Sequence, residues 1–289
     1  MIEYLELVDH VLTHGTSRQG PKPESTLTVF GAQVKYDLSK GFPLITSRDL
    51  SGSWTAMRAE LLWIMSGSTN ANDLHQYGSH LWDRWAKAAQ EKLDMGYHNG
   101  ELGPIYGHQL RNFAGKIDQL TQVEGMLKRD PQTRRAMISF WNLGDVEEPN
   151  GRHIVDVAPC IAMLHFARMA YPTADGQTVD KLDLHMIQRS ADIPIGVPFD
   201  VAEWGGLFLM SIAKEVNLPP GTFTHTLSDA HIYKNQIPAM KELLKRTPNP
   251  RPWVTIKDSP TGLIYDHQVS DFELHDYHPH PKMEIPVAL

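Results

Sequence analysis

The run Val201–Val216 is apolar around almost its whole circumference; only Glu203, Ser211, Lys214 and Glu215 interrupt it. A helix without a polar face has to be enclosed by other layers. It is too short to cross a bilayer, which takes about 20 apolar residues, so the enclosing layers come from the chain itself. Ile2 to Leu12 has apolar positions at helical spacing. So do Trp54 to Met65, with Met57, Leu61 and Ile64 on one stripe, and the set Ile117, Leu120, Val123 and Leu127. Leu27, Val29, Val34 and Tyr36 lie in β-rich runs around Gly31, which reads as a strand with a bend or bulge. Ala136 to Phe140, Ile161 to Ala167 and Leu182 to Ile187 read as further strands. Tyr233 to Arg246 is amphipathic, with Ile237, Met240 and Leu244 inward, and Pro248, Pro250 and Pro252 stop it. Strands and helices alternate too irregularly for a barrel of repeated βα units, so the expectation is a single α+β domain over residues 1–289.

Composition narrows the function. The chain is 41% hydrophobic and 21% charged, ordinary for a soluble globular protein. Its formal net charge of −7 argues against a nucleic-acid or acidic-membrane binder, yet leaves room for a small anion held by clustered arginines. The lone cysteine, Cys160, rules out an internal disulfide, as expected in a reducing compartment. The first residues are acidic and lack a long apolar run, so neither a signal peptide nor a membrane span is expected, and the expected location is cytoplasmic.

The chemistry gathers in two segments. Cys160 sits in Ala158-Pro159-Cys160; Gln188-Arg189-Ser190-Ala191-Asp192 and Gly196-Val197-Pro198-Phe199-Asp200 follow. A thiolate adds to an electron-poor carbon, arginine and serine hold a phosphate, and a carboxyl reads a heterocycle edge. Taken alone, Cys160 is equally a small buried hydrophobe, and Arg134-Arg135 is equally a solvated basic pair at a helix end. Glu60 falls on a mostly apolar helical stripe, where a carboxylate is costly unless it has partners or a task. His278-Pro279-His280 and the pair His75/His80 lack a supporting Cys/Asp/Glu frame, so no metal is expected.

These segments resemble the thymidylate synthase family. The similarity includes Pro159-Cys160, Gln188 to Asp192, Gly196 to Phe199 and Asp229-Ala230-His231-Ile232-Tyr233. Gly41 to Leu44, Glu60 to Trp63, Leu81-Trp82-Asp83, Leu102 to Gly107, Arg134-Arg135 and Ile285 to Leu289 fall in family order, nearly end to end. The resemblance implies a large bent mixed β-sheet with helices, paired back to back as a homodimer. It implies a pyrimidine nucleotide 5′-monophosphate as substrate and 5,10-methylenetetrahydrofolate as one-carbon donor, in the cytoplasm of a bacterium or a phage-infected bacterial cell. Cys160 would be the nucleophile toward pyrimidine carbon 6, making carbon 5 nucleophilic in turn, with arginine charge lowering the thiol pKa. Arg18, Arg189 and Ser190 would hold the phosphate, with Arg134 and Arg135 reaching in from the other subunit. Gly196 would belong to the substrate loop, and His231 and Tyr233 would bind the sugar 3′-hydroxyl. Glu60 would organise proton transfer through water, Asp192 would contact the folate pterin, and Trp82 would lie near the transferred carbon. Arg48 would retain part of the contact to the folate's glutamate tail, weakened by Asp49-Leu50-Ser51, and the C-terminal residues through Leu289 would close over the site.

One departure bears on the substrate. The family's uracil-methylating members carry asparagine where this chain has Asp200. Uracil presents a donor at N3 and an acceptor at O4, and an amide answers both. Cytosine reverses the pattern; a protonated carboxyl donates to N3 while accepting from the 4-amino group, or an ionised one pairs with N3-protonated cytosine, with the same total proton count. Asp200 thus points to dCMP or CMP, as in the deoxycytidylate and cytidylate hydroxymethylases that the position resembles. In those enzymes water traps the exocyclic methylene. A hydride transfer at the same stage would make the chain a dCMP methylase or a thymidylate synthase instead. Ile161 after the cysteine, where methylating members commonly have histidine, and Glu203-Trp204 are further departures, whereas Trp82 and the C-terminal residues are synthase-like. A non-catalytic nucleotide- or RNA-binding relative is the alternative from another class, and the retained Cys160, Glu60 and arginines speak against it.

Overall fold

In the computed structural model, which describes residues 1–20, 24–91 and 95–287, the apolar run lies inside the protein as expected. Its helix is not regular. It begins as a short α-helix at Gly196–Asp200, widens into a π-helix over Val201–Phe208 and returns to α over Leu209–Glu215. Two glycines let the wide part pack closely: a Cβ at Gly205 would overlap the Phe223 ring, and one at Gly206 the Phe42 ring. All eight residues of the π segment are buried, Glu203 among them.

The helix rests on a seven-stranded mixed sheet. Its strands are β1 (Thr16–Arg18), β2 (Thr26–Asp37), β3 (Met137–Ser139), β4 (Ile161–Pro172), β5 (Thr178–Gln188), β6 (Ala191–Asp192) and β7 (Pro220–Tyr233). The order is β1-β2-β7-β5-β4-β3, with β6 alongside β7. Neighbours are antiparallel except β5–β7 and β6–β7, which are parallel. Gly31 takes φ 89° without breaking the β2–β7 register, so it is a bend and not a bulge. A separate hairpin pairs β8 (Trp253–Ile256) with β9 (Phe272–His275).

Register sorts the side chains. Tyr36, Phe223, Leu227, Leu184, Met186, Leu164, Phe166 and Ile138 fall on the face buried under the helices. Gln33, Lys35, Thr224, Thr226, His185, Ile187, Met163 and His165 fall on the other, which is only partly covered and leaves Met137, Met169 and Val179 exposed. The long helices Ile2–His14 and Trp54–Met65 form where their spacing predicts. Ile117 lies outside its helix, which runs Gln119–Arg129. The amphipathic reading of Tyr233 to Arg246 is corrected. Tyr233 ends β7, a 3-10 turn follows at Lys234–Gln236, and the helix is only Ile237–Leu243 with Pro238 in its first turn, where no backbone N–H is needed. Among the described residues, no helix is long and apolar enough to cross a membrane.

Candidate active site

The sheet register assembles the site. Cys160 stands immediately before β4 and Arg189 immediately after β5, and Ile161 pairs with Gln188. The Arg189 N–H donates to the Cys160 carbonyl at 2.8 Å. Its guanidinium donates from Nε to the Pro159 carbonyl at 2.9 Å and from Nη2 to the Ala158 carbonyl at 2.8 Å, and lies over the Trp141 ring. Arg189 thus holds the cysteine loop in shape. The β6–β7 pairing sets Asp192 beside His231, and β7 carries Asp229, His231 and Tyr233 toward the same end. β1 delivers Arg18. Together Cys160, Arg18, Arg189, Ser190, His231 and Tyr233 line one cavity of about 330 Å³. Arg18 and His231 are both bonded to Asp229, His231 from Nδ1 at 3.1 Å.

Behind the thiol lies a group of carboxyls. Glu60, on the Trp54–Met65 helix, accepts a hydrogen bond from Trp82 Nε1 at 2.7 Å and shares one with Glu203. Burial, opposed by the Trp82 bond, raises the Glu60 pKa to about 7, and the charge of Asp200 adds to this. Asp200 Oδ2 accepts from Gln188 Nε2 at 2.8 Å, and Gln188 Oε1 lies 2.7 Å from His225 Nε2. Burial drives the His225 pKa down to about 3, so the ring is neutral. Because the Gln188 amide donates to Asp200, its oxygen accepts, which places the His225 proton on Nε2. Burial also raises Asp200 to about 7, with Asp192 adding to the rise and Gln188 opposing it. Asp192 is likewise raised by burial; its carboxylate accepts from the Ile195 N–H at 3.3 Å and from Gln236 Nε2 at 3.5 Å. Gln236 also donates to the Pro286 carbonyl at 2.9 Å, tying the C-terminal segment to this corner.

The thiol differs from expectation. Arginine charge was expected to lower its pKa, and Arg189 does pull it down, as does a hydrogen bond with Tyr106. Burial outweighs both, and Asp200 works with burial, so Cys160 rests as a protonated thiol. Tyr106 Oη also accepts the Cys160 backbone N–H at 2.7 Å.

The remaining expected residues lie elsewhere. Gly196 opens the central helix next to the Asp200 carboxyl. Arg48 is buried and donates to the Pro194 carbonyl at 2.6 Å, close enough to Asp192 to lower its pKa. Arg134 and Arg135 are exposed and line a different hollow, of about 610 Å³, that shares no residue with the Cys160 cavity. Leu289 lies outside the described residues, as does the second half of the Pro/Gly-rich run Arg18-Gln19-Gly20-Pro21-Lys22-Pro23, which reads as a loop from the sequence. The pair His75/His80 does have a carboxylate partner: Asp83 Oδ1 lies 2.7 Å from His75 Nε2, and Oδ2 lies 2.9 Å from His80 Nδ1. This exposed trio has the donor set of a metal site, and none of it lines the Cys160 cavity. Gln188 and His225, which orient Asp200, and Tyr106, which holds Cys160, were not singled out as site residues from the sequence. Gln188 and Tyr106 fall within segments that carry the family resemblance, whereas His225 is marked only as a polar residue at an inward strand position.

The family model described as thymidylate synthase matches residues 2–289. Members bind a pyrimidine nucleotide monophosphate and use methylenetetrahydrofolate as co-substrate, and the fold is the mixed α+β one described above. This chain belongs to the thymidylate synthase family, the one-carbon transferases that modify carbon 5 of pyrimidine nucleotides with folate.

Proposed function

We propose that the protein hydroxymethylates carbon 5 of a cytosine nucleotide, dCMP or CMP, using 5,10-methylenetetrahydrofolate and water. The observation that carries this reading is Asp200. Its carboxyl is anchored through one oxygen by Gln188 and raised to a pKa of about 7, so near neutrality it holds the proton that cytosine N3 requires. The neutral His225 fixes the Gln188 amide, so the donor and acceptor pattern offered to the base does not flip. A neutral Asp200 also removes one of the charges that oppose ionisation of Cys160.

In this reading Cys160 attacks carbon 6, and carbon 5 then adds to the folate methylene. Arg18, Arg189 and Ser190 take the 5′-phosphate, which competes with Asp229 for Arg18. His231 and Tyr233 take the 3′-hydroxyl. Asp192 meets the pterin, Trp82 sits near the transferred carbon, and the tail tied through Gln236 closes the site. Arg134 and Arg135 complete the phosphate site of a second copy. Their place in a hollow that shares no lining residue with the chain's own cavity supports this, as does the partly uncovered sheet face with Met137, Met169 and Val179 exposed. Water then adds to the exocyclic methylene, with Glu60 as the proton acceptor.

The test offers dCMP, CMP and dUMP separately with methylenetetrahydrofolate and identifies the product by mass. Gain of CH₂O on a cytosine nucleotide, with tetrahydrofolate released, is expected. Gain of CH₂ with dihydrofolate would make the protein a cytosine methylase, the reading that the synthase-like Trp82 favours. Turnover of dUMP alone would overturn the account of Asp200.

A further inference from the structure

The central helix carries a second carboxyl, which faces Glu60. Glu203, three residues after Asp200, is 2% exposed and lies in the π-helical turn. Its carboxyl is hydrogen-bonded to that of Glu60, whose Oε1 also accepts from Trp82 Nε1 at 2.7 Å. The Oε1 atom of Glu203 is buried and has no hydrogen-bond partner among the described residues. The titratable groups that act on it are Glu60, from the Trp54–Met65 helix, and Asp200, from its own helix; both are acidic. With two acids beside it and no cation acting on it, burial holds the carboxyl neutral, well above its ordinary range. An apolar side chain would be cheaper at such a place, so the acid needs a task.

We propose that Glu203 is a positioning residue: as a neutral acid it donates its proton toward Glu60 and holds Glu60 as the charged, oriented member of a pair that shares one proton. This rests on the hydroxymethylase reading above. Glu60 then accepts a proton when water attacks the exocyclic methylene. In that step the water O–H bond breaks and its proton goes to Glu60, while a C–O bond forms at the methylene carbon. The C=C electron pair moves to restore the ring C5–C6 double bond, the C6–S bond breaks, and its pair leaves on Cys160 as thiolate. Atoms and charge balance without a further reagent. Glu60 is thereby gripped from two sides, by an indole N–H and by a carboxylic O–H.

The experiment compares Glu203→Gln, which keeps an N–H donor to Glu60 but cannot titrate, with Glu203→Ala, which removes the donor. Product identity, kcat, KM and the pH dependence of kcat are measured with the cytosine nucleotide and methylenetetrahydrofolate. Glu203→Ala is expected to lower kcat by about tenfold or more with the nucleotide KM within about twofold, and to move the acidic limb to higher pH. Glu203→Gln is expected to restore most of the rate and the profile. An unchanged rate and profile in Glu203→Ala would overturn the proposal, as would equal loss in both variants; glutamine also preserves volume, so a loss in Glu203→Ala without the shift of its acidic limb would assign Glu203 to packing and overturn the proposal as well. The wild-type product separates the two levels: a methyl product would refute the hydroxymethylase reading, whereas the Ala/Gln contrast alone decides the role of Glu203.

Discussion

Replacing Asp200 by asparagine isolates the charge on which the cytosine reading depends. Asparagine keeps an oxygen to accept from Gln188 Nε2 and does not titrate. In the native protein the Asp200 pKa rises from 3.8 to about 7. At about 1.4 kcal/mol per pH unit this amounts to about 4 kcal/mol of destabilisation once the group is ionised. The raised value means that the folded state binds the extra proton between those two pH values. Wild-type stability therefore falls as pH climbs through that window and levels off above about pH 7. The variant loses this term. Glu60, Glu203 and Asp192 still titrate in both proteins, and relief of repulsion among them shares out part of the effect, so the expected gap is about 2–4 kcal/mol at pH 8 and about 0.5–1 kcal/mol at pH 4.5. Urea denaturation at pH 4.5, 6 and 8 measures it. A stability difference that does not depend on pH would mean that Asp200 ionises normally, and the proton offered to cytosine N3 would be lost from the account.

Asp200→Asn should also shift preference toward dUMP in a competition assay, because the amide answers uracil's donor and acceptor pattern. Trp82→Phe removes the hydrogen bond that lowers the Glu60 pKa, so the pH–rate profile should move to higher pH, with kcat down by about tenfold. Cys160→Ala should abolish turnover yet keep nucleotide binding by calorimetry. If Arg135 acts in the partner's site, mixing inactive Arg135→Ala and Cys160→Ala proteins should restore part of the activity, since one site in each mixed dimer is intact; no recovery would refute the shared site. Gly205→Ala should cost about 1–3 kcal/mol in a thermal melt, because its Cβ overlaps the Phe223 ring.

Much of this was legible in the chain. The strands β4 and β5 announce themselves by alternation, and Val201–Val216 by its lack of a polar face. The long strand β7 does not. Its outward positions are Thr222, Thr224, Thr226 and Ser228, and His225 sits among the inward ones, so the hydrophobic period is broken at its centre. The Tyr233 to Arg246 misreading has a related cause: strand, turn and helix follow without a gap, and their apolar residues happen to share a helical phase. Motif order brought out Cys160, Arg189 and Asp200, but not the thiol's resting state, because that is set by a balance of burial, the charges of Arg189 and Asp200, and a hydrogen bond with Tyr106 that no linear pattern encodes. The His225–Gln188–Asp200 chain joins two residues brought together by the β5–β7 register to a carboxyl on the central helix.

The wide turn at Val201–Phe208 separates two duties within one helix. A π turn holds one residue more than an α turn. The end bearing Asp200 and Glu203 can therefore change its rotation relative to Leu209–Glu215 by gaining or shedding a single residue there, while the downstream half keeps its seat on the sheet. An insertion or deletion of one residue, ruinous in a regular core helix, becomes at this place a step by which substrate choice can vary over a constant hydrophobic foundation.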